Sequence, residues 1–267
     1  MAIRVEITAL NHDSSWQLQF TDAESLSNLW IDPWLLGEQV DGARWFSSQS
    51  HAMPTLQITK IASPQAIVIS HPFTDHCHQE TLLSLPKTTI VLAVPTATRK
   101  ITRWQHFEKL NILQAGSWVS LPSVSGFEVA YFASTDFLDL VHNALAFRFG
   151  NEKSLVYAPH GCAPVLAQRI REEIGKPVDV LLTTHTHYSL PFYLGGPVNL
   201  GIDKMAVCAK ILKASTVIGT HDEAKHASGI VSKLAKVTYA QHPKKTLTAL
   251  GFTGTYLQAE LGRAILI

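Results

Sequence analysis

The stretch ISHPFTDHCH, residues 69–78, is the most specific feature of the sequence and overlaps the end of the apolar run AIVI. Such a run is typical of a buried strand, and the sequence HCHQETLLSL after it predicts a short helix. His71, Asp75, His76 and His78 therefore gather where a strand gives way to a helix. Imidazole and carboxylate groups are ligands of zinc, iron or manganese, so this junction predicts a metal site. Asp75 has a second interpretation as the N-cap of the helix.

Three more histidines follow predicted buried strands in the same way. His160 follows SLVYAP, His185 follows DVLLTT and His221 follows STVIGT. In α/β architectures the carboxyl ends of strands lie along one rim, where ligands bind. Any one of these residues, taken alone, could be an ordinary loop histidine. As a set they predict that a metal is bound at this rim, close to His71.

The order of the remaining patterns predicts the fold class. Alternating segments at the start, such as IRVEITAL and SWQLQF, favour antiparallel strands, whereas strand–helix alternation dominates later in the chain. Two facing sheets with helices outside satisfy both signals, so we expect a single α/β (α+β) domain over residues 1–267, built as a four-layer αββα sandwich. Residues 33–63 read as a long loop, and the tail GTYLQAELGRAILI reads as one last strand.

The bulk composition narrows the function classes. The net charge is +1, which gives no electrostatic reason to expect nucleic acid or an acidic membrane as partner. The apolar runs are too short to span a bilayer, and no secretory signal is visible. The three cysteines form no CxxC pair, which favours a reducing, cytoplasmic compartment. We therefore expect a cytoplasmic protein with a small-molecule substrate, compatible with a homo-oligomer.

Several motifs together resemble a known family. SHPFTDH resembles the HxHxDH motif of the metallo-β-lactamase superfamily, and NLWIDPWLLG, GGPVNLG and TVIGTHDE resemble segments of its ascorbate-6-phosphate lactonase-like branch. VHNALAFRFGNEKSLVYAPHG is similar to the stretch that holds that family's third histidine and its metal-bridging acidic residue. The form DHCHxxTL is also similar to a subgroup from plants and cyanobacteria. The resemblance spans residues 16–223 and implies the αββα fold and metal-dependent hydrolysis.

The resemblance also implies two metal positions that share a bridging carboxylate. One would use His71, His142 and a further histidine, but that further position is Phe73 here. The other would use Asp75, His76 and His221. The chain therefore departs from the family's pattern in the first of the two positions.

The bridging carboxylate is replaced as well, by His160. A neutral imidazole has one lone pair and cannot bridge two ions. We therefore expect one divalent ion rather than two, zinc by default with iron or manganese as alternatives, held by Asp75, His76, His160 and His221. His71 and His142 are then expected to be weaker ligands, supporting groups or substrate contacts.

Other candidates lie near these positions. His78 either replaces the ligand lost at Phe73 or bonds to a neighbouring carbonyl group, and Cys77 is expected to be packed. THTHY at residues 184–188 supplies His185 as a proton donor or oxyanion contact. It also supplies His187 and Tyr188 as substrate-binding walls, although His187 could equally lie in a capped loop. His12 could support the site, whereas four histidines without a pattern are expected to be solvated: His51, His106, His226 and His242.

These observations predict a hydrolase. A metal-activated water would attack a small, polar ester, lactone, thioester or phosphodiester, and the resemblance to the lactonase branch allows the substrate to be anionic. Asp75 would orient the water, and His185 or His142 would protonate the leaving group. The alternative is a non-catalytic binding or scaffold protein with a degenerate metal site on the same fold. A redox enzyme is a third class, but no GxGxxG follows a strand.

Overall fold

The computed structural model describes residues 3–22, 25–121, 124–136 and 138–267. Its strands are, in chain order, β1 (Arg4–Ala9), β2 (Trp16–Asp22), β3 (Ser25–Ile31), β4 (Gln39–Val40), β5 (Ser48–Ser50), β6 (Ala66–Ile69), β7 (Ile90–Ala93), β8 (Leu110–Ile112), β9 (Trp118–Leu121), β10 (Val124–Phe132), β11 (Ala144–Phe149), β12 (Lys153–Ala158), β13 (Val180–Thr183), β14 (His187–Ser189), β15 (Pro197–Leu200), β16 (Thr216–Gly219), β17 (His226–Ser228), β18 (Lys236–Thr238), β19 (Thr255–Leu257) and β20 (Ala264–Leu266). The helices are α1 (Gln79–Leu83), α2 (Pro95–Thr102), α3 (Pro164–Ile174), α4 (Gly201–Leu212), α5 (Ile230–Leu234) and α6 (Pro243–Ala249), with 3-10 turns at Ile58–Lys60 and Phe192–Leu194.

Two seven-stranded sheets carry the fold. The first has the order β20-β1-β2-β3-β6-β7-β8 and the second the order β19-β16-β13-β12-β11-β10-β9. In the first sheet β1, β2 and β3 pair antiparallel, whereas β3, β6, β7 and β8 pair parallel. The second sheet likewise joins an antiparallel set, β9 to β12, to a parallel set made of β12, β13, β16 and β19. The mixture of antiparallel and strand–helix patterns in the sequence is therefore present within each sheet.

The core lies in two layers. One apolar cluster fills the space between the sheets and includes Leu18 from β2 and Phe147 from β11. A second cluster joins the outer face of the second sheet, through Val156, to Leu166 of α3 and Met205 of α4. A strand that is buried on both faces needs a continuous apolar sequence, which is why AIVI could be recognised as a strand from the sequence. The predicted αββα sandwich is confirmed.

Two predictions about elements were wrong. The tail is not one strand, because β19 extends the second sheet and β20 pairs with β1 in the first. Between them the chain reverses, with Gly262 in the left-handed conformation at φ 73°. Residues 33–63 are not only loop, since β4 and β5 pair with β17 in a small three-stranded sheet. A second small sheet, β15-β14-β18, has no counterpart in the sequence prediction.

Within the described ranges, none of the helices combines the length and the apolar character that a bilayer crossing requires.

Candidate metal centre

The predicted ligands meet at the carboxyl ends of strands from both sheets. His71 and His76 lie on the connection from β6 to α1, His160 follows β12 and His221 follows β16. Their potential ligand atoms form two overlapping groups, within each of which all atoms lie within 4.8 Å of one another. One group is His71, His76 and His160, and the other is Asp75, His76 and His221. His76 belongs to both groups, so it is the centre of the arrangement.

The rings of His76 and His160 face each other through their Nε2 atoms, which lie 3.1 Å apart. Asp32 Oδ2 lies 2.7 Å from Nδ1 of His76, and Asn199 Oδ1 lies 2.8 Å from Nδ1 of His160. The Asn199 amide is oriented by its own N–H bond to the carbonyl of His221, 3.3 Å away. Both oxygens only accept, so each Nδ1 carries the hydrogen and each neutral ring presents a lone pair at Nε2.

Two lone pairs at this separation repel unless a cation lies between them. That cation is either a proton on one Nε2 atom or a metal ion bound to both. Burial, reinforced by the neighbouring His221 and His71, holds the pKa of His160 well below its ordinary value. Burial also lowers the pKa of His76, but Asp75 and Asp32 outweigh it and raise that pKa overall. The carboxylate of Asp75 and the ring of His221 add further donors beside the pair, so the donor set fits a divalent ion.

Asp75 lies at the centre of the charges. Its Oδ2 is 3.0 Å from Nε2 of His221, and its Oδ1 is 3.8 Å from Nε2 of His76. Burial by itself raises the pKa of Asp75, but His76, His221 and Lys225 outweigh it and hold that pKa well below its ordinary value. The carboxylate is therefore ionised and available as a ligand at neutral pH.

Sequence reasoning missed Lys225. Its buried ammonium lies 2.8 Å from Oδ2 of Asp13 and 3.7 Å from Oδ2 of Asp75. Burial lowers the pKa of Lys225, but the two carboxylates outweigh it and raise that pKa overall. A fixed positive charge therefore stands beside the candidate ligands. The only signal in the sequence is a lysine four residues after His221, which is too common a pattern to be informative.

His71 lies beside the pair but is already bonded. Its Nε2 is 2.8 Å from the carbonyl oxygen of Val141, and its Nδ1 is 2.7 Å from Oγ of Ser70. The carbonyl group can only accept, so Nε2 of His71 carries a hydrogen in this arrangement. Burial and the neighbouring His76 hold the pKa of His71 well below its ordinary value. His71 would have to release the Val141 carbonyl before its Nε2 could bind an ion.

His142 and His185 lie outside both ligand groups. His142 bonds through Nδ1 to Oδ2 of Asp139 at 2.9 Å, while its buried Nε2 has no hydrogen-bond partner among the described residues. Nε2 of His185 lies 3.2 Å from Oδ2 of Asp222, and His185 does not line the cavity that adjoins Asp75, His160 and His221. Neither ring therefore faces the cavity as the predicted proton donors would.

The N-cap of α1 is His78 and not Asp75. Nδ1 of His78 accepts from the backbone N–H of Thr81 at 3.3 Å, and Nε2 donates to the carbonyl of Glu38 at 3.2 Å. Of the two predicted alternatives for His78, the carbonyl bond is the one present, and the ring lies outside the cavity. The helix begins after His78, so His76 and His78 do not share a helix as the sequence indicated. Cys77 is packed, as expected, and burial raises the pKa of its thiol to about 12.

Two predicted pocket residues fall on the small sheet. Tyr188 of β14 lines the cavity, whereas His187 is exposed on the same strand. His51 was expected to be solvated, and that was wrong. Its ring stacks on Trp34 with centroids 3.8 Å apart, and its Nδ1 lies 2.6 Å from a carboxylate oxygen of Glu223.

A cavity of about 330 Å³ opens onto the metal centre, a size typical of small-molecule sites. Asp75, His160 and His221 line its inner end. Lys225 is the only lysine or arginine lining it in the part of the chain that the structure describes. The arrangement can therefore hold a divalent ion at one end of a cavity large enough for a small substrate.

Comparison with known protein families gives one match. A family described as the Beta-lactamase superfamily domain matches residues 27–221. No curated protein matches the chain.

Solved structures are similar over the whole chain. A metallo hydrolase from the archaeon Ignicoccus hospitalis is 16% identical, with 99% of this chain and 98% of that chain covered and a TM-score of 0.66. An isothiocyanate hydrolase from Delia radicum gut bacteria is 15% identical, with 99% and 98% covered and a TM-score of 0.67. CmlA, a diiron β-hydroxylase from Streptomyces venezuelae, is 16% identical, with 99% of this chain and 54% of that chain covered and a TM-score of 0.66. At these identities the likeness shows the fold alone.

Proposed function

Because the chain belongs to the β-lactamase superfamily, we propose that it is a metal-dependent hydrolase of an ester, lactone, thioester or phosphodiester. The observation that carries the proposal is the pair of imidazole Nε2 atoms, 3.1 Å apart, in His76 and His160. Both rings are oriented by acceptors on Nδ1, which is how proteins commonly hold metal-binding histidines. The membership supports metal-dependent hydrolysis at the level of the superfamily and leaves the substrate open.

We propose one ion rather than two. His76 belongs to both ligand groups but offers a single lone pair, so it can serve only one ion at a time. Asp75, His160 and His221 supply the other donors, a mixture that suits zinc, with iron or manganese as alternatives. A divalent ion held by these residues would supply Lewis-acid chemistry that activates a water molecule and polarises a carbonyl or phosphoryl oxygen.

The chain's own residues would position the reactants. Asp75 faces the cavity as an ionised carboxylate and can accept a hydrogen bond from the attacking water. Tyr188 also lines the cavity, and burial raises the pKa of its hydroxyl, which therefore stays protonated and can donate to a developing oxyanion. We assign this donor role to Tyr188 in preference to His185, which bonds to Asp222 away from the cavity. We also propose that the protein acts on small molecules in the cytoplasm.

Metal analysis and a substrate panel test the proposal together. We expect protein purified without an affinity tag to hold about one equivalent of zinc, iron or manganese, and to hydrolyse at least one ester, lactone, thioester or phosphodiester. His76→Ala and His160→Ala remove one donor each and should lower both metal content and kcat/KM, the latter about 100-fold or more.

The matched control is His242→Ala, because His242 is exposed and outside the ligand groups. It should leave metal content and kcat/KM unchanged. A protein that binds no divalent metal, and whose thermal unfolding ignores chelators, would contradict the hydrolase and favour a binding or scaffold protein.

A further inference from the structure

Aliphatic side chains form a large part of the cavity lining. Among them are Leu190, Leu194, Val198, Val231 and Val237. These residues come from the small sheet β15-β14-β18 with its connecting turn and from α5. The walls therefore offer an apolar compartment that no metal chemistry requires.

Further apolar side chains are exposed next to these lining residues. The turn Phe192–Leu194 lies between two lining residues, Leu190 and Gly195, and it leaves Phe192 90% and Tyr193 67% exposed. Val237 and Tyr239, which line the cavity, are also exposed at their outer side. Clustered exposed apolar side chains beside a cavity are typical of a site that binds an apolar group.

The charges that line the cavity do not favour an anionic ligand. Three carboxylates, those of Asp41, Asp75 and Glu223, line it. Lys225 is the basic residue that lines the cavity, and its ammonium is already paired with Asp13 and Asp75. A phosphate or second carboxylate on a substrate would find no unpaired basic side chain among the described lining residues, and would be repelled by the carboxylates.

Resting on the proposed hydrolase, we infer that the substrate is a neutral ester, thioester or lactone that carries an apolar chain. The scissile group lies at the inner end, against Asp75, His160 and His221. The apolar chain lies against Leu194 and Val237. This differs from the small, polar substrate, anionic or neutral, that the sequence led us to expect.

A chain-length series tests the inference in the metal-loaded protein. With 4-nitrophenyl acetate, butyrate and octanoate, kcat/KM should rise by up to about fourfold per buried methylene until the cavity is filled. Among lactones, neutral δ-decalactone should be hydrolysed with a kcat/KM at least tenfold above that of 6-phosphogluconolactone. A flat or falling chain-length series, or a preference for the phosphorylated lactone, overturns the inference.

Substitutions in the cavity lining test whether these aliphatic side chains bind the apolar chain. Leu194→Asp and, as a second variant, Val237→Asp place a charge in the apolar compartment. Each should lower kcat/KM for the octanoate at least tenfold, and more than for the acetate. Leu266→Asp is the matched control, because Leu266 is exposed on β20 and does not line the cavity. Leu266→Asp should leave kcat/KM unchanged for both esters. Thermal unfolding of each variant checks that the variant is folded.

A binding experiment separates failure of this inference from failure of the hydrolase. The neutral fluorophore N-phenyl-1-naphthylamine should bind the wild type and Leu266→Asp alike, and at least tenfold more weakly to Leu194→Asp. Octanamide should displace it, and glucose 6-phosphate should not. If the fluorophore binds in this way but no substrate is hydrolysed, the hydrolase is wrong and the apolar ligand class stands. If esters are hydrolysed but the fluorophore does not bind, the apolar compartment is wrong and the hydrolase stands.

Discussion

Lys225 determines the electrostatics of the site at the scale of single residues. A buried ammonium beside Asp13 and Asp75 supplies positive charge at a fixed place, 5.3 Å from the centre of the Trp34 ring. Buried carboxylates need a cation nearby, because the interior solvates charge poorly. Lys225 meets part of that need without an ion, which is a physical reason for expecting one metal where the family resemblance implies two.

Removing this ammonium should destabilise the fold. Lys225→Met leaves Asp13 and Asp75 buried without their cation, so the free energy of unfolding should fall by about 3–5 kcal/mol. Urea denaturation measures this loss of stability. The double variant Lys225→Met/Asp13→Leu should recover part of the loss, since it removes one unpaired carboxylate. Lys233→Met, on the exposed face of α5, is the control and should be near neutral. Equal stabilities for Lys225→Met and wild type would contradict the ion-pair argument.

The positions of the candidate ligands were predictable, whereas the contacts that orient them were not. His71, His76, His160 and His221 all follow buried strands, and that position is readable from an apolar run. Asp32 and Asn199, which orient two of the rings, lie in the segments NLWIDPWLLG and GGPVNLG of the family resemblance, but nothing in those segments reveals which side chain each residue will meet. Lys225 was missed for the same reason.

At the scale of elements, α1 shows how a cap and a ligand were confused. A five-residue helix at Gln79–Leu83 leaves His78 at its N-cap, held by Thr81 and the carbonyl of Glu38. Histidine at this position uses Nδ1 as the acceptor that Ser or Asp would supply with an oxygen. The Asp75 carboxylate is thereby left for the metal centre.

The N-cap of α1 at His78 should contribute measurably to the free energy of unfolding. His78→Ala removes the acceptor for the N–H of Thr81 and should lower the free energy of unfolding by about 0.5–2 kcal/mol. His78→Asn keeps an acceptor and should lose less. Metal affinity should be unchanged in both variants. A changed KM or metal affinity with wild-type stability would instead return His78 to the binding site that the sequence suggested for it.

The strands that were predicted correctly are those with apolar runs, such as β6, β12, β13 and β16. The small sheet was missed because HYS, PVNL and KVT are short, partly exposed and lack a clear alternation. The final two strands were read as one, since the turn between them interrupts the pattern with only a single glycine. The pairing of strands as distant in the sequence as β20 and β1 cannot be predicted from the local sequence of either strand.

At the scale of the whole molecule, the candidate centre joins the two sheets. His76 and Asp75 extend from a strand of the first sheet, whereas His160 and His221 extend from strands of the second. An ion bound to both sets would link the two halves of the sandwich, and unfolding would have to release it. Binding to the native state alone therefore adds stability.

Chelation should accordingly lower the melting temperature. With free zinc at about 100 times its Kd, the bound ion should add about 2.7 kcal/mol to the free energy of unfolding. Scanning calorimetry with and without a chelator measures the difference, which should vanish in His160→Ala. A chelator effect of wild-type size in that variant would place the stabilising ion elsewhere.

The small sheet β15-β14-β18 has an evolutionary consequence. It carries Tyr188, Val198 and Val237 of the cavity wall, but none of the candidate metal ligands. Mutations in this sheet can change which ligands the cavity binds without changing the candidate metal ligands. Substrate binding and metal chemistry can therefore evolve separately on one fold. Asn199 and Tyr188 are the exceptions, because Asn199 of β15 orients His160 and Tyr188 of β14 is the proposed donor to the oxyanion. Lineages that diverge in ligand choice are therefore expected to vary around these two residues and to retain both.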